Sequence, residues 1–305
     1  VEESEGKMLS GRVQGDERVY VVVGGGPAGA VCVESLRENG FTGRIVVVSK
    51  EKYLPYDRPK LSKGKKVSPE SVLLRDEKWY REVDVEFLLG AEVTELDPET
   101  KVLKTLDGKH LNYDKCLIAT GGKPNRLDSI PGSDSENIHY LRTLDEANAI
   151  HDSIEDKNVV IVGTSYIGME TASTILKRAK SVSVIGMETI PFQRTLGTEV
   201  GSILQQFHQS KGVQFFMNAK VTSFDKQNNQ VTHVVTDKGA IPCDVAIVGI
   251  GVKPETDFIK TNSTLQRDAQ KSIIVDEFLS TGVEGLYAAG DIAKIPLKLA
   301  EEKVR

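Results

Sequence analysis

The stretch VYVVVGGGPAG, from Val19 to Gly29, decides the fold of this chain. Its first half, Val19–Val23, is a continuous β-branched and apolar run, typical of a strand buried on both faces of a parallel sheet. Its second half is a G-x-G-x-x-G pattern that leads into a helical pattern from Pro27 to Glu38, and a further buried strand follows at Arg44–Ser49. Together they predict a strand–helix–strand unit with a parallel sheet. The helical spacing predicts an inward side made of Ala28, Val31, Cys32, Ser35 and Leu36.

The glycines of this stretch have separate physical roles in binding a dinucleotide. Gly24 permits the tight turn, Gly26 lets the backbone approach a pyrophosphate, and Gly29 lets the helix pack closely on the strand. The helix N-terminus offers unpaired N–H groups and partial positive charge to the phosphates. Glu51, 22 residues after Gly29, stands where a carboxylate accepts hydrogen bonds from ribose hydroxyls. The combination predicts a dinucleotide site rather than a structural glycine-rich turn.

A second unit with the same order begins about 140 residues later. Strands at Asn158–Val162 and Ser181–Ile185 flank a predicted helix from Tyr166 to Lys180, and the intervening loop is GTSYIG. Ser165 replaces the middle glycine of the pattern, so its Cβ could restrict the approach of a pyrophosphate. A second dinucleotide is still the leading interpretation.

The ribose acid of this second unit is less clear. The strand runs into Gly186, and the next acid is Glu188, 20 residues after the last glycine of the loop. A glutamate at Gly186 is therefore expected to tighten NADH binding. No arginine directly follows the strand to bind a 2′-phosphate, which favours NADH over NADPH.

Composition narrows the remaining classes of function. A length of 305 residues suggests two domains, and a net charge of −5 with a pI near 5.7 argues against nucleic acid as a partner. No apolar run is long enough for a membrane span. The three cysteines form no C-x-x-C pair and the five histidines have no metal-site spacing, so we expect no bound metal and a reducing compartment, cytoplasmic or mitochondrial.

Several further motifs, in order, make the chain resemble the pyridine-nucleotide flavoprotein reductases. The resemblance is to the branch of ferredoxin reductases and apoptosis-inducing factor, most of all to the apoptosis-inducing-factor-like proteins with a Rieske domain. The motifs are LPYDRPKLSK (Leu54–Lys63), CLIATGGKP (Cys116–Pro124), YLRTLDEA (Tyr140–Ala147), VVIVGTSYIGMETA (Val159–Ala172), VGIGVKP (Val248–Pro254) and LYAAGD (Leu286–Asp291).

The resemblance implies an α/β protein with two Rossmann-like, doubly wound nucleotide-binding domains, the NAD domain being inserted into the FAD domain. The expected boundaries are a flexible segment 1–17, FAD-domain parts 18–137 and 253–305, and an NAD domain 138–252; the C-terminal domain of the family is expected to be absent. The residues expected to bind FAD are Gly24, Gly26, Pro27, Ala28, Gly29, Glu51, Arg58, Lys63, Val93, Ala119, Thr120, Gly121, Arg142, Gly290 and Asp291. Those expected to bind NAD(P)H, with NADH favoured, are Gly163, Ser165, Tyr166, Ile167, Gly168, Glu170, Ile250 and Gly251.

Lys63 and Glu170 are the residues that the resemblance implies in catalysis. The basic stretch around Lys63 could also be a solvated loop, an interpretation that the motif leaves in place for Lys65 and Lys66. Glu170, near the start of the second helix, could simply favour the helix dipole. By resemblance it contacts the nicotinamide carboxamide instead, and both roles can hold.

The cysteine positions bear on where the electrons go. Lys52 to Lys66, which the motif places beside the flavin, contains no cysteine, so electrons are expected to leave to an external acceptor. By resemblance this is an iron–sulfur protein of the ferredoxin or Rieske type. The alternative is a slow-turnover redox sensor or pro-apoptotic interaction protein that binds FAD and NADH.

Overall fold

The computed structural model describes residues 9–63, 65–261 and 264–297, with 297 as backbone alone, and the backbone of 302–304. The helices are α1 (Pro27–Glu38), α2 (Glu77–Glu82), α3 (Leu144–Ser153), α4 (Tyr166–Ile175) and α5 (Gln193–Ser210), and 3-10 turns lie at Arg58–Ser62 and Pro69–Ser71. The strands are β1 (Val19–Val23), β2 (Arg44–Ser49), β3 (Val85–Leu89), β4 (Val93–Asp97), β5 (Val102–Thr105), β6 (His110–Asn112), β7 (Lys115–Ile118), β8 (Gly122–Pro124), β9 (Ile138–Tyr140), β10 (Asn158–Val162), β11 (Ser181–Ile185), β12 (Gln214–Phe216), β13 (Val221–Gln227), β14 (Gln230–Thr236), β15 (Gly239–Pro242), β16 (Val245–Val248), β17 (Val252–Pro254), β18 (Ile273–Ile274), β19 (Leu286–Ala288), β20 (Ala293–Leu297) and β21 (Glu302–Val304).

The first of two compact units contains the residues up to Asp57, Pro69–Lys123 and those from Lys253 onward. Its main sheet has the order β19-β7-β1-β2-β3, and all of its strands are parallel. Val21 and Val23 of β1 belong to one hydrophobic cluster and Val22 to another, because alternate side chains of a strand point to opposite faces of the sheet. The prediction of a strand buried on both faces is confirmed.

The inward side of α1 differs from the prediction. Its buried residues are Gly29, Ala30, Val33 and Arg37, whereas Val31 is 59% exposed. Arg37 is fully buried, and its guanidinium donates to four carbonyls at 2.6–3.0 Å: those of Phe41, Gly43, Val83 and Asp84. A buried charge is stable here because its donors are paired. The helical pattern counted only apolar residues and so missed this side of the helix.

The second unit contains Arg58–Ser68 and Pro124–Val252. Its parallel sheet has the order β12-β11-β10-β16-β9, and the antiparallel strands β13-β14-β15 form a separate sheet. Val160 and Val162 share a hydrophobic cluster with Phe224 and Val234, so the smaller sheet supplies part of this core. Strand–helix–strand order recurs here as β10-α4-β11, as the sequence predicts.

The second unit is larger than the NAD domain expected from the sequence. Residues 124–137 and Arg58–Ser68 belong to it by their contacts, although the sequence assigned both to the FAD domain. Val67 exchanges two hydrogen bonds of 2.9 Å with the Asn148 side chain, which fastens the 58–68 segment to α3. In the segment expected to be flexible, the N–H groups of Ser10 and Val13 donate to backbone carbonyls, and residues 1–8 lie outside the described ones.

Two element boundaries were predicted wrongly for local reasons. Helix α4 ends at Ile175 and not at Lys180, because the N–H of Arg178 bonds back three residues, which tightens the chain into a turn. The alternating pattern of the sequence also predicts a strand over Val83–Phe87, but β3 begins at Val85, because Val83 caps α2 and turns its carbonyl to the Arg37 guanidinium.

Candidate dinucleotide sites

The first glycine loop is shaped by close backbone approaches. Gly24 has φ 121°, and a Cβ there would overlap Ala119 O; a Cβ at Gly29 would overlap Gly24 O. Both positions therefore require glycine for packing. Gly26 differs, because its φ of −89° suits any residue and a Cβ there would meet nothing within 4 Å. Neither the backbone nor the packing demands glycine at that position. The open space where a Gly26 Cβ would lie is therefore available to a ligand.

The helix behind this loop leaves its first N–H groups available. Gly26 is the N-cap of α1 and has no side-chain cap, and Pro27 occupies the first helical turn. Such an end carries partial positive charge and N–H groups directed toward the loop, which suits a phosphate. Gly290, with φ 79°, packs against Ala28, since a Cβ there would lie 3.1 Å from Ala28 Cβ. The exposed Asp291 follows it directly.

Several other predicted FAD residues follow the carboxyl ends of β2 and β7 in the first unit. A Cβ at Gly24 would lie 3.0 Å from Thr120 N, which places the end of β7 against the loop, and the Thr120 hydroxyl donates to Glu255 O at 2.7 Å. Glu51 follows β2, and the Tyr56 hydroxyl donates to its carboxylate. Gly121 has φ 65°. Val93 lies half-buried on β4, in a different sheet, and no described contact joins it to the loop.

The second glycine loop repeats the geometry of the first. Gly163 has φ 121°, and Cβ atoms at Gly163 and Gly168 would overlap the carbonyl oxygens of Gly249 and Gly163. Ser165 is the N-cap of α4, with φ −96° and ψ −167°, almost the backbone conformation of Gly26; its side chain is exposed and makes no cap hydrogen bond. The serine therefore leaves the loop undistorted and the helix end open to a phosphate.

Other predicted nicotinamide-site residues surround this second loop. The exposed Tyr166 ring meets the Phe192 ring edge-on at a centroid distance of 5.4 Å, and Ile167 is half-buried. Ile250 follows Gly249, and its carbonyl accepts from the Asn125 side chain at 3.3 Å. Gly251 has φ 92°, which favours glycine.

Glu188, the acid at the spacing expected for a ribose-binding carboxylate, contacts the second glycine loop. Its carboxylate accepts from the Thr164 hydroxyl at 3.2 Å, within the second glycine loop, and pairs with Arg194 Nε at 3.0 Å. Gly186 is buried, and a Cβ there would lie 2.5 Å from Thr164 Cγ2, so a glutamate at Gly186 must displace the Thr164 side chain before it can contact a ribose. The spacing in the sequence pointed to Glu188, but it did not reveal the arginine beside it.

Lys63 and Glu170, the two residues implied in catalysis, form an ion pair in the second unit. Lys63 Nζ lies 2.8 Å from Glu170 Oε2, and the Ser62 hydroxyl donates to the same oxygen. Burial raises the pKa of Glu170, but the hydrogen bonds from Lys63 and Ser62 outweigh it, so the net pKa lies below its usual value. Arg58 Nη1 donates to Arg142 O at 2.8 Å in the same unit. Ser62 was not predicted as a site residue.

Replacing Ser62 with alanine should raise the pKa of Glu170, because a hydrogen bond to the ionised form is lost. A lowered carboxyl pKa stabilises the fold above the ordinary value of 4.5, and this stability is lost as the pH falls through the lowered pKa. The acid-side loss should therefore be smaller in Ser62→Ala. A carbon-13 NMR titration of the Glu170 carboxyl measures the shift, and Ser153→Ala, whose hydroxyl donates to Ile150 O, is the control. An unchanged Glu170 pKa would contradict the assignment.

The cysteines are free thiols and not a redox pair. Cys116 and Cys243 are buried and Cys32 is half-buried. Burial raises the pKa of Cys32 to about 11 and that of Cys243 to about 12, and it raises the Cys116 pKa further. The thiolate forms that react with disulfides are therefore disfavoured.

Within the described ranges there is no cluster of histidine, cysteine and acidic side chains that could hold a metal. The helices described there include none that could cross a membrane.

Two glycine loops, each between a parallel strand and a helix, define a two-dinucleotide α/β protein. The chain belongs to the pyridine nucleotide-disulphide oxidoreductase family, whose model matches residues 18–304. Within that family it falls in the branch of the ferredoxin reductases and the apoptosis-inducing-factor-like proteins, so the resemblance seen in the sequence is confirmed.

The chain is similar to several known proteins, among them the following three. The chain is 38% identical to human apoptosis-inducing factor 3 over 91% of its own length and 46% of that protein. It is 33% identical to peroxisomal monodehydroascorbate reductase 4 of Arabidopsis thaliana, over 94% of its length and 62% of that enzyme. The solved ferredoxin reductase for the CYP199A2 system of Rhodopseudomonas palustris superposes with a TM-score of 0.89 at 30% identity, covering 95% of this chain and 72% of that one. The chain thus spans about half of the first relative and under two thirds of the second.

Proposed function

We propose that this protein is an FAD-dependent NAD(P)H oxidoreductase, in which a hydride passes from the nicotinamide to the flavin and single electrons then pass to an iron–sulfur acceptor. Membership of the family supports both cofactors. The observation that carries the proposal is Gly26, a glycine that neither the backbone nor the packing requires, at an uncapped helix end. A pyrophosphate needs both features.

The residues of the first unit fit FAD. Gly24 and Gly29 shape the loop, Gly26 leaves room for the pyrophosphate, and the N–H groups at the start of α1 would bind it. Glu51 would accept from the ribose hydroxyls, as a carboxylate does after the second strand of such units. Asp291, beside the same helix end, would accept from hydroxyls of the ribityl chain.

The residues around the second glycine loop fit a nicotinamide dinucleotide, and Glu188 supports NADH. Its carboxylate lies beside Thr164, in hydrogen-bonding range of the loop, where it would accept from the ribose hydroxyls and repel a 2′-phosphate. Arg194 neutralises part of that charge and is 77% exposed, so the preference rests on a balance between the two side chains.

Glu188→Gln should weaken NADH binding about tenfold, since a charge-assisted hydrogen bond contributes roughly 1.5–3 kcal/mol, and should narrow the preference over NADPH. The measurement is the Kd of each dinucleotide by fluorescence or calorimetry. Glu199→Gln, the same change at an exposed position on α5, should leave both affinities unchanged. If wild type and Glu188→Gln bound NADH with equal affinity, Glu188 would not contact the dinucleotide.

Bound FAD would supply the conversion of a two-electron donor into one-electron steps. The chain's own contribution is orientation and charge. Lys63, held by Glu170, keeps an ammonium group in a defined position, and a fixed cation stabilises negative charge that develops beside it. Glu170, held ionised by Lys63 and Ser62, would accept a hydrogen bond from the nicotinamide carboxamide. The Arg58 guanidinium donates to the backbone carbonyl of Arg142, which positions the guanidinium.

Lys63→Ala should slow flavin reduction by NADH about 10- to 100-fold if its cation stabilises the developing charge. Anaerobic stopped-flow absorbance of the bound flavin measures this rate. Lys66→Ala is the matched control, because Lys66 pairs with Asp152 at 2.7 Å and has no proposed part in the reaction. Equal rates for Lys63→Ala and wild type would exclude Lys63 from the mechanism.

The acceptor is the second part of the proposal. The similar ferredoxin reductase structure supports an iron–sulfur protein, and the buried thiols offer no internal route for the electrons. Purified protein reconstituted with FAD should reduce a ferredoxin or a Rieske protein with NADH faster than it reduces monodehydroascorbate. Faster reduction of monodehydroascorbate would contradict the iron–sulfur acceptor. It would favour a small-molecule radical acceptor, the class named in the Arabidopsis relative.

The similarity to apoptosis-inducing factor 3 favours one other candidate, a slow-turnover FAD- and NADH-binding redox sensor or pro-apoptotic interaction protein. A long-lived charge-transfer absorbance after NADH addition, with little turnover of any acceptor, would support it over the reductase. The free thiols fit a reducing compartment, cytoplasmic or mitochondrial, in either case.

A further inference from the structure

A small cavity in the second unit is lined by Ser62 and Thr171, the chain neighbours of Lys63 and Glu170. Its volume is about 20 Å³, and one buried water needs roughly 10–15 Å³ on the same measure. Its polar lining residues are Ser62, Lys65, His151, Thr171 and Thr174, and aliphatic side chains of the 3-10 turn, α3 and α4 form the rest of its wall. Wholly apolar cavities stay dry, so the five polar residues in this mixed lining favour a bound water.

The Thr171 hydroxyl on the cavity wall is buried without a hydrogen-bond partner among the described residues. The residue as a whole is 3% exposed. A buried hydroxyl without a partner destabilises a protein, and native structures usually satisfy such a group with protein or ordered water. Thr174, one turn along the same helix, has its hydroxyl bonded to Ser62 O at 3.0 Å and to Thr171 O at 3.1 Å. Of the two threonine hydroxyls on this cavity wall, the one of Thr174 is therefore hydrogen-bonded and the one of Thr171 is not.

We propose that this cavity binds one internal water molecule, hydrogen-bonded to the Thr171 hydroxyl, which holds the Arg58–Ser62 turn on α4. Ser62 lines the same cavity, and its hydroxyl has a single proton to share between Pro59 O, at 3.2 Å, and the Glu170 carboxylate. A bond to the charged acceptor is the stronger one. Together with the direct bond from the Thr174 hydroxyl to Ser62 O, the water keeps the turn against α4, so that the Ser62 hydroxyl stays on Glu170. Thr171 is thus a positioning residue, a part of the inference that rests on the proposed role of Glu170.

Thr171→Val tests the water itself, because it keeps the shape of the side chain and removes only the hydroxyl. If the water is bound, a high-resolution crystal structure of the FAD-reconstituted wild type contains it beside the Thr171 hydroxyl, and the variant lacks it and has an equal or lower Tm. If the cavity is empty, the variant loses an unsatisfied polar group and its Tm rises. A raised Tm with an empty wild-type cavity would overturn the proposal. Thr174→Val, which removes a satisfied hydroxyl from the same helix, should lower the Tm in either case.

The pKa of Glu170 tests the positioning part separately. In Thr171→Val it should rise toward the value seen in Ser62→Ala, as measured by the same carboxyl NMR titration. An unchanged pKa with the water present in wild type would limit the water to a structural role. Neither readout uses turnover, so failure of the proposed reaction would be detected independently, as a lack of flavin reduction by NADH.

Discussion

Gly26→Ala should fold like the wild-type protein and lose FAD affinity by about tenfold or more, a loss of at least roughly 1.4 kcal/mol of binding. The fold should survive because the added Cβ meets nothing within 4 Å and the backbone conformation suits alanine. FAD should be lost because the methyl group fills the space that a pyrophosphate needs to approach the backbone. Flavin absorbance after gel filtration and a titration of the apoprotein with FAD measure the effect.

Two other glycines make this a controlled comparison. Gly11→Ala also adds a methyl group in open space, but outside the loop, and should change neither stability nor FAD binding. Gly29→Ala should destabilise the fold itself, because its Cβ overlaps Gly24 O. If Gly26→Ala retained FAD at wild-type affinity, the first loop would not be the pyrophosphate site, and the proposed function would lose its main support.

Arg37→Met should lower the free energy of unfolding by about 3–5 kcal/mol, the largest effect on stability that we expect from one side chain outside the glycine loops. The guanidinium is the sole group on the side chain that can donate to the four carbonyls around it. Methionine fills a similar volume but removes the guanidinium from all four carbonyls, of which Phe41 O retains the Ser10 hydroxyl as a donor at 3.1 Å. Urea denaturation of the apoprotein, monitored by circular dichroism, measures the change.

Two variants separate burial from charge in that experiment. Arg81→Met removes a surface arginine, 76% exposed and paired with Glu77, and should change stability by less than about 1 kcal/mol. Arg37→Lys keeps the charge but loses the planar fork of donors, so it should remain strongly destabilised. A loss below about 1 kcal/mol in Arg37→Met would mean that water replaces the guanidinium at the carbonyls.

Much of the fold was predictable because its signals are local. The runs at β1 and β10, and the glycine loops that follow them, specify strand, turn and helix within a dozen residues each. The spacing from Gly168 to Glu188 likewise predicted an acid near the second glycine loop, where the Glu188 carboxylate contacts Thr164. The buried side of α1 was predicted wrongly, because the burial of an arginine depends on carbonyls supplied by distant parts of the chain.

The sequence by itself determined two strand–glycine–helix units and the residue types of a two-dinucleotide flavoprotein, since backbone conformation and periodicity are properties of short segments. The tertiary structure alone decided which side chains meet. It placed Glu170 on Lys63 and Ser62, more than a hundred residues away, and Glu188 on Thr164. It also buried Arg37 among carbonyls from separate loops. These pairings depend on how the chain returns to itself, for which no local pattern in the sequence is a signal.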